Sequence, residues 1–519
     1  MKKILERTFL IVLSILLEFI ISCKLMIYFY NEYYIIKILI TILSFLIVSN
    51  IVKNSKSLVN ELPWIILILI SPIAGTFIYI LVYHSVNKSK LLKHIQKEIK
   101  EADKYYQKDK DITKEINNQQ KDILKYLNNY LNYPVSKNNQ VKYYKNGEEF
   151  FPDYLKDLKS AKKYIFLEYF IISNEGTMWT QILNILKEKA KNGVEVRVMY
   201  DDMGCLPLLP ENYQKYLESL NIKCVVFNKL KMFKGIFMNN RDHRKITVID
   251  GNIAYTGGLN LSDEYINKKI KYGYWKDNAI KLQGNSVWNL TIMFLSLWNS
   301  YKKEDKDYLK FKTTDNLKIK PNGYLSAYAS VPINDVLEGE DVYLNIINKA
   351  TKYVYIITPY LIIDTDMINS IILAFKRGVD VRIVIPGIPD KKIVYDLTMS
   401  YVKNLVDAGI KVYTYTPGFI HSKIFVSDDN KATVGTINLD YRSLYLHFEN
   451  GVYLEDVKEI EDILNDVNNI LTESHLLTKK ETNYNIFRKV WQSILRFLPH
   501  YSRTQPQVEF YFYKLIYYC

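Results

Sequence analysis

The chain has 519 residues, 48% of them hydrophobic and 24% charged, with a net charge of +14 from 69 Lys and Arg against 55 Asp and Glu. That hydrophobic share excludes wholesale disorder, and the length suits two to four domains. Four scattered cysteines (Cys23, Cys205, Cys224 and Cys519) without CxxC or Cys-His ligand spacing exclude a disulfide scaffold and a zinc finger, while the positive excess suits nucleic acid, an anionic membrane or a phosphorylated substrate.

Three apolar stretches open the chain, at 8–30, 33–52 and 63–83. Each has the roughly 20 residues that a helical span needs. Residues 1–84 are therefore expected to form a transmembrane helical anchor of two or three segments. Ser71, Pro72 and Gly75 break the middle of the third stretch, making it a kinked span or a re-entrant hairpin. A cleaved signal peptide competes over residues 1–23, but Glu18 and the further apolar stretches argue against it. With three full spans, five basic residues flank each side, so the positive-inside rule does not decide the orientation. A re-entrant third stretch puts every basic segment on one side, which favours a cytoplasmic body. Residues 85–135 are rich in Lys, Glu, Gln and Asp, with Ile95, Ile99, Ile112, Ile116, Ile123 and Leu124 at helical spacings. They read as a charged helical connector, a solvated surface helix in its plainest form.

The rest of the chain is a duplicated unit. Residues 161–172 (AKKYIFLEYFII) and 350–363 (ATKYVYIITPYLII) are each followed by a helix-like stretch. A second β-branched run then begins, at Gly193 in one half and Gly378 in the other, 378 − 193 = 185 residues apart. Each half thus contains a βαβ unit, with parallel neighbouring strands covered by helices. A third pair follows: residues 243–250 (HRKITVID) match residues 421–428 (HSKIFVSD). The expected layout is a first α/β domain over 136–310, a second over 311–480 and a tail over 481–519.

In a strand, residues i and i+2 share a face. His243 and Lys245 therefore point together, as do His421 and Lys423. An imidazole can attack phosphorus or carry a proton, and a lysine beside it can neutralise phosphate oxygens. Two such pairs suit phosphodiester transfer, with one histidine as nucleophile and the other as acid and base. No metal or other cofactor is expected, since two lysines supply the cationic clamp. The aspartates complete each catalytic motif, but Asp250 and Asp428 sit at an odd offset from their histidines. They are expected to tie the strand end rather than to face the imidazoles. A separate carboxylate should hold each histidine in its tautomer, and Asp277 and Glu449 are the candidates. Gly257-Gly258-Leu259-Asn260 and Gly435-Thr436-Ile437-Asn438 also repeat in phase. Their small residues would let backbone approach a phosphate, and Asn260 and Asn438 would donate to its oxygens.

The paired HxKxxxxD motifs resemble those of the phospholipase D superfamily. With the apolar N-terminus and the stretches 242–251, 255–258, 358–360 and 438–443, the chain resembles the bacterial cardiolipin synthases of that superfamily from about residue 60 to 498. The resemblance implies two pseudo-symmetric α-β-α domains behind the anchor. It implies a multi-pass protein of the bacterial cell membrane that joins two phosphatidylglycerol molecules into cardiolipin and glycerol through a phosphohistidine. His243 would be the nucleophile and His421 the acid and base, although the pseudo-symmetry leaves that order open. His447 stands where the family pattern suggests Asn. The implied partners are phosphatidylglycerol and anionic lipid, with no nucleic acid. A lipid hydrolase, transfer to another acceptor and, more remotely, a membrane-tethered nuclease would use the same residues. Residues 485–498 place Ile486, Phe487, Val490, Trp491, Ile494 and Leu495 on one helical face beside Arg488, Lys489 and Arg496. This suits a basic amphipathic helix at an anionic interface, or equally a helix packed on the body. The aromatic tail beyond it departs from the family.

Overall fold

The computed structural model describes residues 34–54, 58–72, 90–229, 240–313, 319–334 and 336–504, with Lys24, Tyr28, Gly75, Thr76, Tyr79 and Ile80. The chain divides into two compact units, one formed by residues 1–89 with 494–512 and the other by 90–493 with 513–519. In the first unit, helices run over Tyr34–Asn54 and Leu58–Ile70. Ile51, Trp64 and Ile68 pack together there, and the Ser44 hydroxyl bonds that of Thr76. Among the described residues no helix is long and apolar enough to cross a membrane. The expected span at 8–30 falls almost wholly outside the described residues, as does the tail beyond 504.

The second unit holds two matching sheets. The first contains β1 (Asn139–Tyr144), β2 (Tyr164–Tyr169), β3 (Glu195–Asp201), β4 (Lys223–Phe227), β5 (Lys245–Ile249), β6 (Ile253–Gly257) and β8 (Ala279–Gly284), in the order β1-β8-β6-β5-β2-β3-β4. Between its last two members in sequence lies the short β7 (Tyr274–Lys276). The second contains β9 (Tyr324–Ser330), β10 (Tyr353–Ile357), β11 (Asp380–Pro386), β12 (Lys411–Tyr415), β14 (Ile424–Ser427), β15 (Lys431–Gly435), β16 (Glu449–Glu455) and β17 (Ser474–Leu476). Its order, β9-β16-β15-β14-β10-β11-β12-β17, repeats the first sheet with one added edge strand. The βαβ expectation is met, because β2 pairs parallel with β3 and β10 with β11. The motif strands β5 and β14 pair antiparallel to β2 and β10, so both sheets are mixed.

The remaining strand, β13 (Gly418–Ile420), leaves the second half to pair in parallel with β7 of the first. An isolated bridge between Asp242 and Phe448 is its counterpart on the other side. Lys276 in β7 is also fixed by the Asp466 carboxylate of the second half, at 2.7 and 2.9 Å, and the Tyr143 hydroxyl donates to the same carboxylate. Helix Val287–Lys302 is buried from Val287 to Ser300 and packs against strands of both sheets. The charged segment does not stand free over its described residues 90–135. Helix Lys90–Ala102 lies on Val287–Lys302, and Ile95, Ile116, Ile123 and Leu124 are buried. The apolar stripe that looked like ordinary helix spacing is thus a packing surface.

The aspartates of the two motifs lie at the ends of the strands away from their histidines. Both adopt a left-handed backbone, with φ of 53° at Asp250 and 54° at Asp428. Asp250 accepts the backbone N–H groups of Lys162, Lys163 and Tyr164 at 2.7–2.8 Å. Asp428 accepts those of Thr351, Lys352 and Tyr353, and the Thr351 hydroxyl. Each carboxylate therefore fixes the start of the adjoining parallel strand, and neither belongs among the catalytic groups of its motif. For Asp428, burial raises the pKa, but the donors from Lys352, Thr351 and Tyr353 outweigh it and hold the carboxyl below its usual 3.8. Its folded pKa is depressed, so its stabilisation is present above the unfolded value and is lost as pH falls through the folded one. Asp428→Asn should lower the thermal midpoint at pH 7, and the gap from wild type should close below about pH 4. Scanning calorimetry across pH 3 to 7 checks both.

Candidate active site

His243 and His421 stand just ahead of β5 and β14, and both are buried, with 7% of each exposed. Their backbones are fixed from across the molecule. His243 N donates to Phe448 O at 2.9 Å, and His421 N donates to Lys276 O at 2.7 Å. In each case the next residue is the orienting carboxylate of the opposite half. His243 Nδ1 lies 2.9 Å from Glu449 Oε2, and His421 Nδ1 lies 2.7 Å from Asp277 Oδ2. Asp277 and Glu449 are thus brought to the histidines, each to that of the other half. Both imidazoles can donate through Nδ1, which leaves Nε2 with its lone pair for chemistry.

Lys245 Nζ donates to its own His243 carbonyl at 2.7 Å, and Lys423 does the same to His421. Both lysines are buried. Desolvation pulls Lys245 down to about 7 against the attraction of Glu449, and Lys423 to about 8 against that of Asp277. The histidines are also pushed toward neutrality. Burial first, then Lys245 and His447, hold His243 well below its usual value. Burial and Lys423 bring His421 to about 4, opposed by Asp277. Glu449 moves the other way: burial raises it well above the usual carboxyl range, opposed by Lys245 and by the Thr436 and Ser443 hydroxyls. A phosphate anion would therefore stabilise this site, since it would offset buried positive charge.

The two half-sites differ in their walls. His421 is surrounded by Tyr265, Trp275 and Phe419, with ring centroids 5.6–5.8 Å away. His243 meets Phe170 at 5.0 Å and His447 at 5.6 Å.

The Gly-rich repeats also meet the orienting carboxylates. A Cβ on Gly258 would lie 1.9 Å from Asp277 Oδ1. The missing side chain makes room for the orienting carboxylate. The matching Thr436 donates its hydroxyl to Glu449 Oε2 instead. Asn260 is held by the fold: its Oδ1 accepts from Ile171 N at 3.1 Å, and its Nδ2 donates to Tyr265 Oη at 2.6 Å. Asn438 Oδ1 is buried with no hydrogen-bond partner among the described residues. The equivalence suggested by the repeat therefore breaks at this pair.

Sequence reasoning missed the layer beneath His243. Asp242 N donates to the buried Asp201 carboxylate at 3.0 Å. Arg244 Nε donates to Glu449 O at 3.2 Å, and its Nη1 lies 3.7 Å from Glu168. Burial holds Glu168 well above its usual pKa, with the Asp242 charge adding to the shift. Asp242 itself is raised to about 7, mainly by burial. The only sequence signal was a charged residue inside an otherwise apolar strand at Glu168, and charged neighbours on both sides of His243.

Gly258→Ala should displace Asp277 and lower phosphodiester turnover by on the order of 10² or more. Gly193→Ala, where a Cβ meets nothing, should leave kcat unchanged although its φ of 84° costs about 1 kcal/mol of stability. Steady-state rates with circular dichroism melts of both variants separate the two effects.

Residues 154–279 and 343–471 match the domain family described as "Cardiolipin synthase, PLD-like domain". The chain is 33% identical to cardiolipin synthase 1 of Staphylococcus aureus over 461 residues, covering 85% of this chain and 90% of that protein. It is 43% identical to an uncharacterised protein of Streptococcus mutans over 433 residues, 83% of this chain and 93% of the relative. Among solved structures, a phosphatidylserine synthase of Haemophilus influenzae shares the fold, with a TM-score of 0.54 and 16% identity over 70% of this chain and 94% of that one. Two PLD-like halves, each matched separately, and a relative of this identity over most of its length place the chain in the bacterial cardiolipin synthase family of the phospholipase D superfamily.

Proposed function

We propose that the protein is a membrane phosphatidyltransferase that makes cardiolipin and glycerol from two phosphatidylglycerol molecules through a covalent phosphohistidine. The observation that carries this reading is the pair of buried histidines, each with its Nδ1 on a carboxylate and a lysine beside it. In the first half-reaction, neutral His243 attacks phosphorus through Nε2. A P–N bond forms, and the P–O bond to the headgroup glycerol breaks. His421, as imidazolium, protonates the departing alkoxide. In the second, neutral His421 takes the proton from a glycerol hydroxyl of another phosphatidylglycerol. That oxygen attacks phosphorus, the P–N bond breaks, and both histidines return to their starting forms.

Lys245 and Lys423 supply the charge that stabilises the non-bridging oxygens. Burial and the Lys423 charge keep His421 near 4. A bound phosphodiester anion favours its imidazolium, so the substrate itself arms the acid. The assignment of His243 as nucleophile rests on the superfamily resemblance.

The apolar stretches within residues 1–84 would hold the catalytic unit at the membrane. The C-terminal helix Ile486–Thr504 adds a second contact. Its polar side grips the body: Arg488 pairs with Asp396, and Gln492 donates to the Asp396 carbonyl. Ile486, Phe487, Val490 and Trp491 are left exposed. The start of the helix both packs on the body and presents these four apolar side chains outward, a surface suited to acyl chains.

Detergent-solubilised protein given phosphatidylglycerol and a chelator should yield cardiolipin and glycerol by mass spectrometry. His243→Ala and His421→Ala should each lose activity by at least about 10³. Phosphatidic acid as the sole product would make the protein a hydrolase on the same scaffold, and turnover surviving in either variant would sink the two-histidine mechanism. In nanodiscs, brominated lipid should quench wild-type fluorescence more than that of Trp491→Phe. Phe487→Asp with Trp491→Asp should raise the lipid density needed for half-maximal rate by about tenfold. Unchanged quenching would remove the helix from the membrane.

A further inference from the structure

Glu449 has a second imidazole on its other oxygen. His447 Nδ1 lies 3.6 Å from Glu449 Oε1, and both atoms are buried without a hydrogen-bond partner. On the far side of the ring, Arg442 Nε donates to His447 Nε2 at 3.2 Å. A guanidinium can only donate. His447 Nε2 therefore presents its lone pair, and the proton of the neutral ring sits on Nδ1, aimed at the carboxylate. The separation exceeds a hydrogen bond, but a small rotation of either side chain closes it and satisfies two buried polar atoms at once.

The tautomer also answers a rival reading. His243, His447 and Glu449 have donor atoms within 4.8 Å of one another, near enough for a divalent cation. His447 could offer a metal its Nδ1 only by losing that proton, and its lone pair faces Arg442. Arg442, Arg241 and Lys245 add positive charge around the ring. The arrangement suits a hydrogen-bond relay better than a metal.

The other half lacks the relay. Two residues before Asp277, where His447 precedes Glu449, stands Trp275, its ring 5.6 Å from that of His421. Asp277 Oδ1 accepts the neighbouring Asn278 N–H at 2.9 Å instead.

We propose that His447 is a positioning residue for His243: as the Nδ1–H tautomer fixed by Arg442, it donates to Glu449 Oε1 and so holds the carboxylate that holds the nucleophile. The proposal rests on the two-histidine reading of the site. Besides His447, Glu449 faces His243, Lys245 and Asp440, the hydroxyls of Thr436 and Ser443, and Arg244, which binds its carbonyl. Loss of the His447 donor leaves a buried carboxylate less well held, so it takes up a proton at higher pH. Glu449 must be ionised to orient His243, and the acid limb of the rate profile then moves upward.

The test compares His447→Asn, His447→Gln and His447→Phe in the full-length, detergent-solubilised protein. Asn places an amide N–H close to the position of Nδ1 and keeps the donor. Gln reaches toward Arg442 and gives Glu449 none, and Phe gives neither. His447→Asn should stay within about threefold of the wild-type kcat, while Gln and Phe lose about 10- to 100-fold in kcat with KM little changed. Their acid limbs should shift to higher pH, and that of His447→Asn should not. Equal kcat and pH profiles for Phe and Asn would overturn the proposal, as would losses that merely track the thermal midpoint of each variant. Wild-type protein that turns over no phosphatidylglycerol would defeat the parent reading alone. A ¹⁵N NMR tautomer measurement on His447 then decides this one: an Nε2–H ring overturns it, an Nδ1–H ring upholds it.

Discussion

The structure depends on an exchange. Each half keeps its histidine and lysine but takes the carboxylate that orients the histidine from the other half. Neither half contains a complete site. The backbone enforces the exchange before any side chain acts, because His243 N and His421 N bond the carbonyls immediately ahead of Glu449 and Asp277. The pairing of β7 with β13, the Asp242–Phe448 bridge and the bond from Lys276 to the Asp466 carboxylate all involve residues close in sequence to those carboxylates or their histidines. These cross-links between the halves are therefore also supports of the chemistry.

Burying two lysines and two histidines together is costly unless negative charge is at hand. Asp277 and Glu449 supply some of it, and both lie fully buried. The rest is left for the substrate. A phosphodiester would bring one negative charge into a site whose lysines burial has brought down to about 7 and 8. On the proposed mechanism, binding and activation are then the same event: the anion that fills the site would restore charge to the groups that act on it.

Much of this is legible in the sequence, and the reason is repetition. One HxKxxxxD is weak, but two in phase with a βαβ repeat single out His243, Lys245, His421 and Lys423. The period-two rule turns Asp250 and Asp428 away from the imidazoles, as the structure does. Asp277 and Glu449 stand out as candidates, but their crossing does not, since strand spacing says nothing of which half a carboxylate meets. Small and amide residues such as Gly258 and Asn260 suit phosphate contacts in any sequence. Only the packing reveals that Gly258 clears space for Asp277 and that Asn260 is tied to Ile171 and Tyr265. Glu168 and Arg244 carry no signal beyond charge among apolar neighbours. At the N-terminus, hydropathy suggests spans; no helix among the described residues is long and apolar enough to cross a membrane, and the stretch at 8–30 lies almost wholly outside them.

The strand pairing between β7 and β13 has a consequence for traffic. Two domains joined by a loose linker can part like a clamshell and admit a ligand from either side. Here the seam runs through the reacting centre, and opening it would pull Asp277 from His421 and Glu449 from His243. The halves must stay shut through the whole cycle. On the proposed mechanism, the leaving alcohol and the incoming one must then reach His243 and His421 by a route that leaves this seam closed.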